Sequence, residues 1–279
     1  MDIDGTLVDS GRDSFQNVLG HLRKLRPLGI GFTLATGRTY QGTLSVVHDL
    51  ASVRMKTPPM IVYNGAVVLS GGERTVMARH ALDPRAVTAA VRCFRELGLT
   101  ITAYACDTGM DLSPRETAYT EEADGPDREF NGMPLVRVPD LAVLGDRLVA
   151  ILASASDPLE GRRLAEELTQ YLGGIARVTT SDGRYIEVSP PLGTKLHAVH
   201  ELAKLSRISI GDVMAIGDNF NDMEMIGAVG AGVAVDNAPP EVKSRAMFQC
   251  THPSAAGVVE ALRVLIRAKR GAFGASGED

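Results

Sequence analysis

Short apolar runs that alternate with amphipathic stretches mark both ends of the chain. Four apolar runs have the length of buried strands: residues 30–35, 60–63, 213–216 and 232–235. Helical spacing of apolar residues follows or precedes them, over residues 15–25, 40–51, 194–205 and 256–268. Strands that alternate with helices are typical of βαβ units. The pattern therefore predicts an α/β fold with a parallel sheet.

The middle of the chain has a different pattern. Two predicted helices, residues 84–97 and 158–172, accompany four predicted strands, residues 99–105, 147–154, 175–180 and 185–188. Asp182-Gly183 between the last two apolar runs is typical of a hairpin. Residues 113–139 are polar with little periodicity, which predicts a long loop. We expect an α+β domain at residues 80–189, inserted into a core of residues 1–79 and 190–279.

Composition limits the classes of function. A chain of 279 residues with 44% hydrophobic and 23% charged residues predicts an ordinary globular protein of about two domains. A net charge of -5 argues against general affinity for nucleic acid. Three widely separated cysteines suit a reducing cytoplasm, and the small-apolar run 228–235 is too short to span a membrane. We expect a cytoplasmic protein without membrane or nucleic-acid partners, either a monomer or a homodimer.

Acidic and polar residues follow the predicted strands of the core. They are Asp2, Asp4, Thr36, Asn64, Asp218 and Asp222, with Lys195 at the start of a helix. Carboxyl ends of parallel strands meet at one sheet edge, where ligands bind. Four carboxylates gathered there would repel one another unless a cation joined them. Oxygen ligands without His or Cys favour Mg²⁺, so the pattern predicts a magnesium site.

These segments resemble the four motifs of the haloacid dehalogenase-like phosphatases. The similar segments are Asp2-Ile3-Asp4-Gly5-Thr6-Leu7-Val8, Leu34-Ala35-Thr36-Gly37-Arg38, Lys195 after Pro191-Leu192-Gly193-Thr194, and Gly217-Asp218-Asn219-Phe220-Asn221-Asp222. Two further segments and a large insertion resemble the Cof-like branch of the family. These are Asn64-Gly65-Ala66 and Val233-Ala234-Val235-Asp236-Asn237-Ala238. The resemblance implies a Rossmann-like core with an inserted α+β cap.

The resemblance also implies roles for individual residues. Asp2 would be the nucleophile that forms a phospho-aspartyl intermediate, and Asp4 would act as general acid and then as general base. The phosphoryl oxygens would be held by Thr36, Gly37, Lys195 and Asn221. Mg²⁺ would be held by Asp2, Asp4, Asp218 and Asp222, with Asp222 acting through water or Lys195. Arg38 and Asn64 are candidates for substrate binding; alternatively Arg38 makes a surface ion pair and Asn64 forms a plain turn.

The expected reaction is Mg²⁺-dependent hydrolysis of a small phosphorylated metabolite, with sugar phosphates preferred as the class. Two alternatives remain open. A phosphomutase-type transferase would pass the phosphoryl group to a sugar instead of water. A non-catalytic regulatory module would be phosphorylated on its aspartate and would accumulate that form. Release of phosphate without an acceptor separates the first alternative from a hydrolase.

Several other features receive simpler interpretations. His197 and His200 are assigned to a solvated helix face, and Cys93 to inert core. An acid-rich segment is assigned to a solvated loop: Glu121, Glu122, Asp124, Asp127 and Glu129. In the family about five apolar residues precede the nucleophile, whereas only Met1 precedes Asp2 here. We therefore expect the natural protein to begin upstream of Met1 with an apolar, β-branched segment; the alternative is an authentic start with a shortened strand.

Overall fold

The computed structural model describes residues 1–8, 12–72, 74–121, 132–181 and 183–275. Its helices are α1 (Arg12–Leu22), α2 (Tyr40–Ser52), α3 (Pro84–Glu96), α4 (Pro158–Leu172), α5 (Lys195–Leu205), α6 (Phe220–Ala228), α7 (Pro240–Lys243) and α8 (Ser254–Ala275). Its strands are β1 (Leu34–Ala35), β2 (Met60–Val62), β3 (Val67–Leu69), β4 (Val76–Arg79), β5 (Thr100–Thr108), β6 (Pro114–Thr120), β7 (Leu135–Arg137), β8 (Leu148–Ser154), β9 (Arg177–Ser181), β10 (Tyr185–Ser189), β11 (Met214–Gly217), β12 (Ala231–Ala234) and β13 (Phe248–Gln249). These elements form two compact units. The first comprises Met1–Thr36, Ser45–Ile61 and Lys195–Asp279, and the second comprises Gly37–Leu44 and Val62–Thr194.

The first unit is built on parallel strand pairs. β1 pairs with β2 in parallel, and β11, β12 and β13 form a parallel sheet in that order. Helices α5 and α6 pack against each other, and α1 packs against α8. The strand interiors are buried, as the continuous apolar runs in the sequence predict. This is the predicted α/β arrangement, with parallel strands connected through helices.

The second unit is an α+β module. Its largest sheet has six strands in the order β7-β6-β5-β8-β10-β9, in which β5, β6, β8, β9 and β10 pair antiparallel. One apolar cluster joins residues of α3 and α4 with alternate residues of β5, β8 and β10. The predicted antiparallel pairing of the segments around Gly183 is confirmed, with Tyr185 opposite Ser181. The fold class, a Rossmann-like α/β core with an α+β cap, is confirmed, whereas the boundaries at residues 80 and 189 stay predictions.

Two local predictions are wrong. The strand expected over residues 30–35 is reduced to Leu34–Ala35. The loop expected over residues 113–139 instead contains β6 and β7. Arg115 and Glu116 interrupt the apolar pattern of β6, but Glu116 is buried together with Tyr40 and Tyr63, two of its hydrogen-bond donors. A buried charge of this kind hides a strand from any reading based on hydrophobicity.

The acid-rich segment after β6 differs from its predicted solvated loop at the one described position. Glu121 accepts hydrogen bonds from Arg95 and from the backbone N–H of Leu141, so it holds structure together instead of merely facing solvent. Glu122, Asp124, Asp127 and Glu129 lie outside the described residues. No helix in the described parts of the chain combines the length and apolar character that crossing a membrane requires.

Candidate active site

The first residues of the chain lie between β1 and β11. The backbone N–H of Asp2 donates to the carbonyl of Ile216 at 3.0 Å, and the N–H of Ala35 donates to the carbonyl of Met1 at 2.9 Å. These bonds place Asp2 beside the carboxyl ends of both strands. Thr36 follows β1 directly, and its N–H donates to Ile61 of the first unit at 2.9 Å. The sheet edge therefore brings Asp2 and Thr36 to the same end of the first unit.

The segment after β11 is fixed by a capping box at the start of α6. The Asn219 side chain caps the helix, and the Asp222 carboxylate reaches back to the backbone. Asp222 Oδ2 accepts the N–H groups of Asp218 and Asn219 at 3.1 and 3.2 Å. This arrangement leaves the other oxygen of Asp222 to face Lys195. The local sequence of a helix start thus positions a carboxylate of the site.

Lys195 is the buried cation of the site. The residue is 1% exposed, and Nζ donates to Asp2 Oδ1 at 2.7 Å and to Asp222 Oδ1 at 2.8 Å. Removal of a charge from water is costly unless it is paired and hydrogen-bonded. Two carboxylates provide that compensation, and in return the ammonium fixes the side chain of Asp2. Lys195 begins α5, where the helix dipole alone would disfavour it.

The loop after Asp2 lies against Asp218. Gly5 has φ +73°, and a Cβ atom there would come within 2.2 Å of Asp218 Oδ2. Thr6 Oγ1 donates to Asp218 Oδ1 at 2.6 Å, and Asn237 Nδ2 donates to the Gly5 carbonyl at 2.9 Å. Asn237 also lies 3.4 Å from Asp218 Oδ2. Only glycine permits this approach of backbone to carboxylate.

Burial determines the acidity of the site. It raises the pKa of Asp2 to about 7, although the Lys195 ammonium opposes the shift. Burial also raises the pKa of Asp218 to about 6, and the hydrogen bond from Thr6 opposes that shift. For Lys195, burial lowers the pKa, but Asp2 and Asp222 outweigh it, and the net pKa lies above its usual value. Lys195 is therefore charged at neutral pH.

Three carboxylates of the site are close enough to share one cation. Oxygens of Asp2, Asp218 and Asp222 all lie within 4.8 Å of one another. When ionised they carry three negative charges against the single positive charge of Lys195, which leaves a net charge of two minus. A divalent cation matches that excess, and an all-oxygen donor set suits a hard ion. The group is thus a possible divalent metal site.

The remaining predicted residues lie in different places. Asp4 is exposed, and its side chain is outside the group of three carboxylates. Asn221 lies in the first turn of α6 and is half-buried. Gly37, Arg38 and Asn64 belong to the second unit. There Arg38 Nη1 donates to the Gly42 carbonyl at 3.0 Å.

Asn64 is held by a residue that the sequence did not single out. Its Nδ2 donates to both carboxylate oxygens of Glu187 at 3.0 Å. Asn64 has φ +54°, and the preceding Tyr63 has φ +50°. Left-handed conformations at two successive non-glycine residues are uncommon and require support from their surroundings. The bond to Glu187 supplies part of that support.

Two further contributors to the site were missed in the sequence. Thr6 belongs to the first of the four motifs but received no role of its own, although its hydroxyl donates to Asp218. Asn237 follows β12 at the sheet edge that carries Asp218, and the rule that ligands bind at carboxyl ends could have found it. Away from the site, His197 in α5 lies 3.6 Å from Glu201, and His200 is exposed.

Comparison with known proteins agrees with this geometry. The sequence profile of the haloacid dehalogenase-like hydrolases matches residues 1–262, so the chain belongs to this family. The HMP-PP phosphatase of Enterobacter sp. (strain 638) is 29% identical, over 86% of this chain and 84% of the relative. The 5-amino-6-(5-phospho-D-ribitylamino)uracil phosphatase YwtE of Bacillus subtilis (strain 168) is 24% identical, over 89% of this chain and 90% of the relative.

The crystal structure of a haloacid dehalogenase-like hydrolase from Bacteroides thetaiotaomicron superposes with a TM-score of 0.76 at 25% identity. It covers 95% of this chain and 97% of the other. The predicted family and enzyme class are confirmed: this is a phosphatase of the haloacid dehalogenase-like hydrolases.

Proposed function

We propose that the protein is a Mg²⁺-dependent phosphomonoester hydrolase that acts through a phospho-aspartyl intermediate on Asp2. One observation carries the proposal. A fully buried ammonium, Lys195, is bonded to Asp2 and Asp222 while an oxygen of Asp218 lies within 4.8 Å of both. A structural ion pair needs no third carboxylate nearby, whereas phosphoryl transfer needs a fixed nucleophile surrounded by positive charge.

The first step forms a bond between an Asp2 oxygen and phosphorus as the bond from phosphorus to the ester oxygen breaks. Asp4 donates a proton to the departing oxygen, which leaves as an alcohol. In the second step water attacks the same phosphorus, Asp4 takes the proton from that water, and the bond to Asp2 breaks. Inorganic phosphate leaves and both aspartates return to their initial states. Dividing hydrolysis into two steps lowers the barrier of a very slow reaction.

The cation would be held by Asp2, the backbone carbonyl of Asp4 and Asp218. Asp222 is less suited to direct coordination, because its oxygens already accept hydrogen bonds from Lys195, Asp218 and Asn219. When bound, Mg²⁺ supplies positive charge that offsets the repulsion between the phosphate and the carboxylates. Lys195 provides a second positive charge through its hydrogen bond to Asp2 Oδ1.

The residues that would hold the phosphoryl oxygens are Thr36, Gly37, Lys195 and Asn221. Arg38 and Asn64 would bind the rest of the substrate, and residues 80–189 would form the cap that selects it. We propose a small phosphorylated metabolite of the sugar phosphate class. Support for the sugar phosphate class comes from the relative named for 5-amino-6-(5-phospho-D-ribitylamino)uracil, a compound that carries a phosphorylated ribityl group. The relative named for HMP-PP supports a small phosphorylated metabolite without indicating a sugar.

Hydrolysis of an aryl phosphate by the whole chain tests the proposal. Activity should require Mg²⁺, disappear in EDTA and return when Mg²⁺ is restored, and phosphate should appear without any added acceptor. Asp2→Asn should remove essentially all turnover, because an amide does not attack phosphorus. Asp4→Asn should slow turnover by about a hundred- to ten-thousand-fold.

Three outcomes would contradict the proposal. Equal turnover in EDTA would exclude the metal, and substantial activity of Asp2→Asn would exclude the covalent mechanism. Release of the aryl alcohol that begins only when a sugar acceptor is added, with the phosphoryl group recovered on that sugar and no free phosphate, would identify a transferase instead.

A further inference from the structure

Glu116 is a buried carboxylate that the proposed mechanism does not use. It lies in β6, and the residue is only 7% exposed. Three donors converge on it. Oε1 accepts the N–H of Tyr40 at 2.6 Å and the hydroxyl of Tyr63 at 2.6 Å, and Oε2 accepts the N–H of Gln41 at 2.8 Å.

These partners require an ionised carboxylate. Backbone N–H groups can only donate, so both oxygens of Glu116 must accept. Burial raises the pKa of Glu116, and the hydrogen bonds from Tyr63, Gln41 and Tyr40 oppose that shift. Tyr40 and Gln41 form the first turn of α2, where the helix dipole also stabilises negative charge. A strand residue far along the chain thus caps this helix.

Thr39 also contributes to capping the N-terminus of α2, because its Oγ1 accepts the N–H of Gly42 at 3.0 Å. Glu116 and Thr39 together satisfy three N–H groups of the first turn, which would otherwise lack partners. The segment they fix is the first turn of α2, residues 40–42, which begins two residues after Arg38 and whose Gly42 carbonyl accepts a hydrogen bond from Arg38 Nη1. Its conformation therefore depends on a carboxylate from β6.

Tyr63 connects the start of α2 to the turn that contains Asn64. Its hydroxyl donates to Glu116, and its backbone N–H donates to the Arg38 carbonyl at 2.9 Å. Tyr63 has a left-handed backbone conformation, which is unfavourable for a residue with a side chain. Hydrogen bonds from both its hydroxyl and its backbone N–H hold it in that conformation. Asn64 comes next and is directed to Glu187. The positions of Arg38 and Asn64 are thus tied to one carboxylate.

We propose that Glu116 is a positioning residue that fixes Arg38 and Asn64 for substrate binding. The inference rests on the proposed function, in which these two side chains bind the non-reacting part of the substrate. Glu116 is not among the residues proposed to hold the phosphoryl group or the metal. Its loss leaves the nucleophile intact and allows the two segments to adopt other conformations, so the enzyme binds substrate and transition state more weakly by the same amount.

Glu116→Gln is the direct test, because it keeps the shape and places an amide NH₂ against an N–H donor. We expect KM to rise about tenfold, roughly the equilibrium effect of one buried hydrogen bond, while kcat changes by less than about twofold. Glu121→Gln is the matched control. Glu121 likewise accepts a backbone N–H, from Leu141, but its side-chain partner is Arg95 instead of a tyrosine hydroxyl. The Glu121→Gln variant should have a lower Tm and unchanged KM and kcat.

A double-mutant cycle distinguishes positioning from mere support of the fold. Asn64→Ala should raise KM, and Glu116→Gln added to it should raise KM by much less than in the natural sequence. Additive effects, or a KM of Glu116→Gln equal to the natural value, would overturn the positioning role. If Asn64→Ala itself leaves KM unchanged, the substrate role given to Asn64 under the proposed function fails instead.

If Glu116→Gln does not fold, Tyr63→Phe is the alternative variant that tests the positioning role. It removes one donor and leaves the helix cap in place. A rise in KM in the same direction, smaller than that of Asn64→Ala, supports the inference. An unchanged KM for Tyr63→Phe overturns it.

Discussion

Gly5 and Gly29 have nearly the same backbone conformation in very different surroundings. Their φ angles are +73° and +68°, but a Cβ on Gly5 would meet Asp218 at 2.2 Å, whereas one on Gly29 would meet nothing within 4 Å. Both alanine variants incur the cost of a left-handed side-chain residue, about 1–2 kcal/mol. Only Gly5→Ala must also displace a carboxylate of the site.

This pair separates backbone strain from damage to the active site. We expect Gly29→Ala to lower Tm and keep full activity, and Gly5→Ala to lose most activity and Mg²⁺ binding even well below its Tm. Kinetics with an aryl phosphate and calorimetric Mg²⁺ titration are the measurements. Equal loss of activity in the two variants would show that strain alone explains the effect.

The raised pKa values of Asp2 and Asp218 predict how pH acts on the site. Asp2 and Asp218 have pKa values of about 7 and about 6, above the ordinary carboxyl value of 3.8. Between about pH 4 and about pH 7 the metal-free folded protein therefore holds protons that the unfolded chain has released, so its stability should fall as pH rises. Above about pH 7 this contribution should level off.

Mg²⁺ should reverse that trend, since a cation competes with these protons. We expect tighter Mg²⁺ binding at pH 8 than at pH 5.5, and a larger rise in Tm on adding Mg²⁺ at the higher pH. Titration calorimetry and thermal unfolding at both pH values measure this. Equal affinity at both values would mean that Asp2 and Asp218 are already ionised without metal.

At the scale of elements, α4 contains two leucines in opposite environments. Leu168 is 1% exposed and belongs to the apolar cluster with α3 and the sheet, whereas Leu159 is 74% exposed. The helix begins at the Asp157 cap, whose carboxylate accepts the N–H groups of Leu159 and Glu160. Its amphipathic pattern reflects this difference, because one stripe of the helix is buried and the other is solvated.

Identical substitutions at these positions should have different costs. Leu168→Ala should destabilise the protein by about 2–5 kcal/mol, because it removes buried methyl groups and leaves a cavity. Leu159→Ala should stay within about 0.5 kcal/mol of the natural protein. Urea unfolding followed by circular dichroism gives both values. A small effect at Leu168 would indicate that the cluster closes around the missing side chain.

At the scale of the whole molecule, an exchange of the cap tests whether the core performs catalysis while the cap selects the substrate. The site carboxylates belong to the first unit, and the antiparallel sheet belongs to the second. Replacement of residues 80–189 by the corresponding segment of a relative should change preference among phosphorylated metabolites and keep the Mg²⁺ requirement. A panel of sugar and vitamin phosphates measures preference. Unchanged preference would place specificity in the core.

Much of this protein could be derived from its sequence, because the decisive signals are local. Apolar runs ending in Asp-Asn or Thr-Gly mark strands whose ends meet at one edge, and the structure brings Asp2, Asp218, Asp222 and Lys195 together. Helix starts such as Asp157-Pro158 are equally local. Periodicity and capping depend on neighbours within a few residues, so they can be recognised in the sequence without knowledge of the tertiary structure.

Tertiary structure alone decided which polar residues are buried and what they bond to. Glu116 and Glu187 bond to groups that are distant in the chain, and no local pattern distinguishes them from solvated residues. The sequence likewise shows that Gly5 is flexible, but not that Asp218 lies against it. The physical reason is that the stability of a buried charge depends on donors brought from elsewhere in the fold, and the fold alone sets those distances.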